Sequence, residues 1–423
     1  MPTTNDFATR FRWLDLESSW ADLFPEWAGS MPTVPIIEIG AFTGLTLDNP
    51  ILGRLDQNPL DGDINFQPIP QGVVAVSSTR GRDKDVGRTS AGSLSVSLRN
   101  EDRFFDPLVG AFRDQTKPRL PVRFKVAGVP ALTGFVDDWN YDYEPGGNST
   151  ASIIATDGFS RFARQLNAGG SAPVESTGDR LERVLDQGSV NFTGPRDIDT
   201  GNSTLAAGVV DGETLNYLLN VVEASELGLV FMGKGGAFTF RERLVSTVSD
   251  AINFGDGGIP IAGIEIEFGS EDLVNQAVVT GPEGTATAED LTSQVTYGIT
   301  ALEIDTQLAT LAGQQGLADF IVERFSEPEY RFRSMTVNMR AMSAAQRATV
   351  LGIELGDQVD VTFTPNRIPP AVSIRNRIIG VSHDISLDQH LVTFNFEKLP
   401  FQFFVLDDPV FGKLDEADVV LGF

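Results

Sequence analysis

The chain has 423 residues, with 58 Asp and Glu against 32 Lys and Arg, for a net charge of -26. A field of that sign repels phosphate backbones and excludes a protein that grips nucleic acid, though not a surface past which DNA slides without sticking. Zero cysteines exclude disulfides and thiolate chemistry; two histidines leave little for acid–base or metal-dependent catalysis; and 41% apolar content with 42 Gly and 23 Pro suits a turn-rich, mainly β chain of several domains.

Residues 1–33 carry Phe7, Phe11, Trp13, Trp20, Phe24 and Trp27 among acidic residues and prolines. A solvated tail would be poor in such groups, so this segment reads as an arm packed on its own chain or on a neighbouring subunit. No apolar run approaches the length of a membrane helix, and the start lacks the apolar core of a signal sequence, so no membrane anchor is expected. Residues 33–44 read as a first strand, 49–71 as a long turn-dense loop, and 71–79 and 91–98 as two further strands. Between those two lies the most basic stretch of the chain. Its Arg80, Arg82, Lys84 and Arg88 are candidate contacts for an acidic partner, a solvated hairpin tip being the plainer reading.

Residues 120–157 form the pattern around which the chain is organised. Val122, Phe124 and Val126 alternate with Arg123 and Lys125, the signature of a strand with one buried face. A second strand crosses Gly134 and carries Phe135 and Trp139. Pro145-Gly146-Gly147-Asn148 makes a turn, and 151–156 is a third strand. A weaker copy returns at 358–396, where Gly380-Val381 and Asp384-Ile385 match Gly134-Phe135 and Asp138-Trp139. Such a duplication predicts two superimposable barrels in which Gly134 and Gly380 coincide, where close backbone approach excludes a side chain. Residues 158–166 are expected to close the first barrel with a helical turn.

Between the copies the pattern changes. Helices are expected at 179–187 and at 211–227, the latter N-capped by Asp211 and ended at Gly228. A hairpin follows across Gly233-Lys234-Gly235-Gly236. This loop lacks the GxxxxGK[ST] spacing of a phosphate loop and precedes no helix, so it reads as a turn. Strands at 259–268 and 273–281, a helix over 306–324, a strand at 331–339 and a helix opened by a Ser343/Gln346 capping box lead into the second copy. Asp137, Asp138, Asp142 and Glu144 cluster in sequence, but strand alternation splits them across two faces and argues against calcium. His383 and His390 have no nucleophile nearby in sequence and read as structural. No catalytic residue, cofactor or metal is expected. Residues 399–423 are apolar and aromatic without helical or strand period. Burying one side chain such as Phe401, Phe403, Phe404, Val405 or Phe411 gains roughly 1.5–3 kcal/mol, and these five are candidate subunit-interface residues.

The stretch GRTSAGSLSVSLRNEDRFFD at 87–106, the TGFVDDWNYDY and GVSHDISLDQHLVTFNFE strands and the ending FFVLDDPVFGKLD resemble minor tail proteins of long-tailed (siphovirus-type) bacteriophages of actinobacteria, and among them the baseplate hub proteins. The resemblance covers residues 34–412. It implies a mainly β chain with an α+β insertion: tail-tube-like barrels at 34–168 and 269–400, a small α/β domain at 169–268, the arm at 1–33 and an interface tail at 401–423. It further implies a homotrimer in the virion tail tip, whose six barrels match a six-fold tube; relatives often carry peptidase or lysozyme modules, and the two histidines here make this chain a bare, non-enzymatic hub. Its partners would be a distal tail protein ring, a tape-measure protein and other tail-tip proteins, and DNA would pass through an acidic channel without specific binding. Alternatives are a one-barrel distal tail protein, a carbohydrate-binding receptor module using Trp139 and Tyr141 beside Asp138, and a hydrolase. The duplication favours the hub.

Overall fold

The computed structural model describes residues 35–42, 64–70, 72–83, 88–167, 169–190, 192–210, 212–243, 251–399, 402–403 and 419–420. The aromatic arm, Lys84, Asp211, and Phe401, Phe404, Val405 and Phe411 lie outside the described residues. For Phe403 the backbone alone is described, as part of the two-residue strand Gln402–Phe403 that pairs in parallel with Val419–Val420.

Pro35–Phe42 (β1), Ile64–Pro68 (β2), Val73–Gly81 (β3), Ser90–Arg99 (β4), Pro121–Val126 (β5), Val129–Asp142 (β6) and Thr150–Thr156 (β7) make the first half of the molecule. Their alternation gives each strand one covered face. In β5 Val122, Phe124 and Val126 are fully buried, and in β4 Leu94, Val96 and Leu98 are buried while Ser93 and Ser95 face solvent. β2 falls in the stretch read as a loop, where surrounding prolines mask a short edge strand.

The chain then leaves this sheet. Phe159–Phe162 (α1), Ser171–Ala172 (β8), Glu175–Ser176 (β9), Thr177–Leu185 (α2), Arg196–Ile198 (β10), Thr204–Leu205 (β11), Gly208–Val209 (β12), Thr214–Leu219 (α3), Leu229–Met232 (β13) and Phe238–Arg241 (β14) share a separate core around Phe159, Leu181, Leu218, Val230 and Phe238. α3 is capped by Glu213, whose carboxylate accepts from the amides of Leu215 and Asn216, and it widens into a π-turn over Asn220–Ala224.

The second half comprises Ile252–Gly255 (β15), Gly263–Phe268 (β16), Gln276–Gly281 (β17), Gly284–Glu289 (β18), Leu291–Tyr297 (α4), Ala301–Asp305 (β19), Leu311–Phe325 (α5), Tyr330–Asn338 (β20), Ala344–Gly352 (α6), Gln358–Phe363 (β21), Val372–Ile385 (β22) and His390–Lys398 (β23). β17, β18 and β19 form their own sheet, and the Leu317, Ile321 and Phe325 stripe of α5 packs with Val274, Ala277 and Val279 in a third core. α5 starts at the Thr310 cap, later than 306. α6 opens on the expected capping box: the Gln346 amide donates to Ser343 Oγ at 3.3 Å and the Ser343 amide to Gln346 Oε1 at 2.9 Å.

The two expected barrels do not form. Among the described residues thirteen strands from both halves lie in one open sheet, in the order β16-β20-β23-β22-β3-β4-β7-β6-β5-β1-β2, with β21 beside β22 and β15 beside β21. A barrel needs its first and last strands to pair. Here β3 pairs with β22 of the other half instead, and one core cluster runs from Ile37 to Phe396. Alternation tells which face of a strand is covered; it does not tell which strand lies beside it.

The duplication itself is written in the strand order. The first half runs β3-β4-β7-β6-β5 and the second β16-β20-β23-β22-β21, every neighbour antiparallel in both. The register matches as well. Pro121 stands opposite Phe135 as Gln358 stands opposite Arg377, and the bulge between Val136 and Asp138 corresponds to that between Ile378 and Gly380. Gly380 therefore corresponds to Asp138, not to Gly134. Both glycines do mark close backbone approaches: a Cβ on Gly134 would lie 2.2 Å from the Thr156 carbonyl oxygen, and one on Gly380 2.4 Å from that of Arg82.

Candidate assembly seam and polar sheet face

The place where the halves join is built from the stretch the sequence marks as most basic. β3 runs antiparallel to the end of β22, with Gly81 opposite Gly380 and Val76 opposite Ile385. Arg80 and Arg82 are buried at its end. Arg80 meets Glu354 at 2.8 Å and donates to the Met232 carbonyl at 3.3 Å. Arg82 meets Glu397 of β23 at 3.0 Å, and Arg377 of β22 reaches the same carboxylate oxygen at 3.0 Å. Burial alone would raise the Glu397 pKa; the Arg377 and Arg82 guanidinium groups outweigh it and leave it below the usual carboxylate value. Arg88 is exposed and donates to Asn220 Oδ1 at 3.4 Å.

The Gly233–Gly236 loop is the expected turn between β13 and β14. Its Lys234 holds no phosphate-loop position. The ammonium donates to the carbonyls of Leu351, Gly352 and Ile353 at 2.9, 2.6 and 3.2 Å, satisfying the open C-terminus of α6. Its backbone amide donates to Glu354 Oε2 at 2.9 Å, so one carboxylate ties the insertion hairpin, Arg80 and the entry to β21 together. Spacing alone offered no sign of this cap, because its acceptors lie more than a hundred residues away.

His383 and His390 face each other inside the sheet, with Nδ1 of the first 3.2 Å from Nε2 of the second, and His383 packs edge-on against Phe124. Burial holds both below the ordinary imidazole value, His390 at about 4. Two shielded neutral imidazoles are not placed to act on a substrate. In the sequence cluster at 137–144, alternation does not divide the carboxylates as expected: the bulge between Val136 and Asp138 lets Asp137 accept from Thr156 Oγ1 at 2.7 Å on the uncovered face, where Asp138 and Asp142 are also exposed. No group of three His, Cys, Asp or Glu side chains capable of holding a metal exists among the described residues, and among them no helix is long and apolar enough to cross a membrane.

The sheet's uncovered face carries many hydroxyls and carboxylates, alongside Arg123 and Lys125 of β5 and the exposed Ile154 of β7. Thr79 and Ser93 share a hydrogen bond at 2.8 Å, and Thr336 and Thr393 one at 2.9 Å. Asp138, Asp142, Glu265 and Asp384 stand exposed among them, and Glu267 pairs with Arg333 at 2.8 Å. On the covered face of β6 the rings of Trp139, Tyr141 and Tyr143 stack in a ladder with centroids 6.4 and 6.3 Å apart, and Phe105 stacks on Trp139 at 6.0 Å. Trp139 and Tyr141 thus pack, half-buried, against the core.

No family model and no curated protein sequence matches this chain. Among solved structures it is similar to the 43 kDa tail protein of prophage MuSo2 from Shewanella oneidensis, with a TM-score of 0.53 at 12% identity, over 86% of this chain and 97% of that one. It is also similar to the tail protein from Neisseria meningitidis MC58, with a TM-score of 0.56 at 10% identity, over 86% of this chain and 96% of that one. The likeness is one of fold: a mostly β architecture with helical insertions, shared with tail proteins across nearly their whole length.

Proposed function

We propose that the chain is a non-enzymatic hub of a bacteriophage tail tip, assembling as a homotrimeric ring that continues the tail tube and anchors neighbouring tip proteins. The observation that carries this reading is the repeated five-strand order within one continuous sheet. Each chain then brings two equivalent half-units, and three chains supply six, the number a six-fold tube presents. The hydroxyls and carboxylates of the uncovered face, with Lys125 neutralised by Glu38 at 2.8 Å, suit the bore, because an anionic wall lets a polyanion pass without adsorbing. A distal tail protein ring, a tape-measure protein and other tip proteins are the expected neighbours, with exposed Arg88 available to an acidic one. The duplication disfavours a one-unit distal tail protein, and the stacked, core-packed aromatics disfavour a receptor module.

The test is the mass and shape of the purified full chain, by light scattering and negative-stain imaging. Three chains around a central opening are expected. A six-chain ring would favour the distal tail reading, and a monomer at every accessible concentration would overturn a ring altogether.

A further inference from the structure

The internal seam specifies a second seam that the described residues of the single chain leave open. β22 has one edge shared by two partners: β21 pairs with its residues 372–377, and β3 with residues 380–385. Its counterpart β6 has the same edge only half used. β5 pairs with residues 129–135, Arg119 and Leu120 bond the backbone of Val136, and no described strand pairs with 137–142 on that side. The missing partner has a counterpart too. β16 occupies in the second half the position β3 occupies in the first, and among the described strands it ends the sheet, bonded only to β20. An edge strand with unpaired amides and carbonyls is a template for another chain.

We propose that β16 of one copy of this chain adds to the free edge at residues 137–143, where β6 ends, of the next copy, repeating the β3–β22 seam between subunits. This rests on the ring reading above and adds the surface and the register. The row Val76, Val96, Ile153, Trp139 across the first half corresponds to Ile264, Met335, Phe394, Val381 across the second. Carrying the internal pairing of Val76 with Ile385 over to the open edges puts Ile264 opposite Tyr143 of the neighbour, and Phe268 opposite Trp139. The side-chain faces agree. Ile264, Ile266 and Phe268 lie on the covered side of β16, as the aromatic ladder lies on that of β6, and Phe268 and Tyr143 are 70% and 46% exposed in the single chain. Gly269 follows Phe268 as Gly81 follows Arg80 at the internal seam. The contact is head-to-tail, so it generates a ring if the rotation closes and a filament if it does not. One pairing opposes it: Asp142 falls opposite Glu265, a like-charge pair.

The chain has no cysteine, which makes the register directly readable. Asp142→Cys and Glu265→Cys in the same full-length chain should cross-link between subunits on oxidation, giving a covalent ladder that stops at three chains. The pair Asp142→Cys with Glu289→Cys, on β18 of another sheet, should not. A ladder running past three would keep the edge pairing and overturn the trimeric ring. A trimer by mass without the cross-link, in a variant whose circular dichroism and melting match the parent, would keep the ring and overturn this seam. Separately, Glu265→Ser, the residue type at the corresponding position of β3, should lower the concentration at which half the chains assemble several-fold; weaker assembly would count against the register.

Discussion

Asp157 and His390 are both buried, and burial moves them in opposite directions. Asp157 accepts from the amides of Gly92 at 2.7 Å and Phe159 at 3.0 Å, yet desolvation raises its pKa from 3.8 to about 7. His390 is lowered from 6.5 to about 4, chiefly by desolvation and then by Arg340. The linkage signs follow. Between pH 3.8 and about 7 the folded chain keeps a proton on Asp157 that the unfolded chain has released, so this group costs stability as pH rises through that window. Between about 4 and 6.5 the unfolded chain protonates His390 while the folded chain does not, so this group costs stability as pH falls. The two windows nearly coincide and their signs oppose, so in the parent the two contributions largely cancel between about pH 4 and 6.5, and urea unfolding separates them only through variants. Asp157→Asn should expose a stability that falls towards acid, the uncompensated His390 contribution, and His390→Gln one that falls towards neutral pH, the uncompensated Asp157 contribution. A variant with the parent's slope would show that its residue does not titrate in the fold as described. Neither shift was readable in the sequence, where His390 is a strand residue and Asp157 one more carboxylate, because desolvation depends on what packs around the group.

At the scale of elements, the β3–β22 seam depends on the paired glycines. Gly81 has φ +89°, and a Cβ there would lie 2.1 Å from the carbonyl oxygen of Ile379. That neighbour is backbone, held by the Arg82 amide, which donates to the same oxygen at 2.8 Å, so it has little room to give. Gly81→Ala therefore adds both a strained backbone and a clash, and should cost about 1–3 kcal/mol by urea unfolding. Gly146→Ala, in a turn with nothing within 4 Å of the added carbon, should be near neutral. Equal effects would mean that the seam relaxes. The strands of the first half and the capped helix α6 were legible, because burial alternation and caps are local, whereas β15, β18, β19 and α4 were not read. β5, β6 and β7 follow the period-two pattern, and the Ser343 capping box needs only four consecutive residues. The Glu213 cap and the β2 strand were missed because competing turn residues surround them.

For the whole molecule, the net charge of -26 is the largest single property, and in the ring reading it is distributed towards a bore. The C-terminal segment with Phe401, Phe403, Phe404, Val405 and Phe411 is proposed to close subunit contacts there, since so apolar a stretch left in water would promote aggregation. Ending the chain at Leu399 removes this segment while keeping β23, which stops at Lys398, intact. The truncated chain should keep the parent's circular dichroism and lose the assembled mass. A truncated chain that still forms the native ring would make the segment a cover for its own subunit instead.

By itself the sequence determined the mainly β character, the period-two faces and the want of cysteine, because each depends on composition or on residues close together in the chain; the motif that suggested a repeat aligned Gly380 with Gly134, and only the strand register placed it at Asp138. Only the tertiary structure decided that the repeats share one open sheet, that Arg80 and Arg82 turn inward to Glu354 and Glu397, and that Lys234 caps a distant helix. Those outcomes depend on which strand edges meet. Edge pairing uses backbone amides and carbonyls that every strand offers alike, so side-chain pattern constrains the face of a strand far more than the identity of its neighbour.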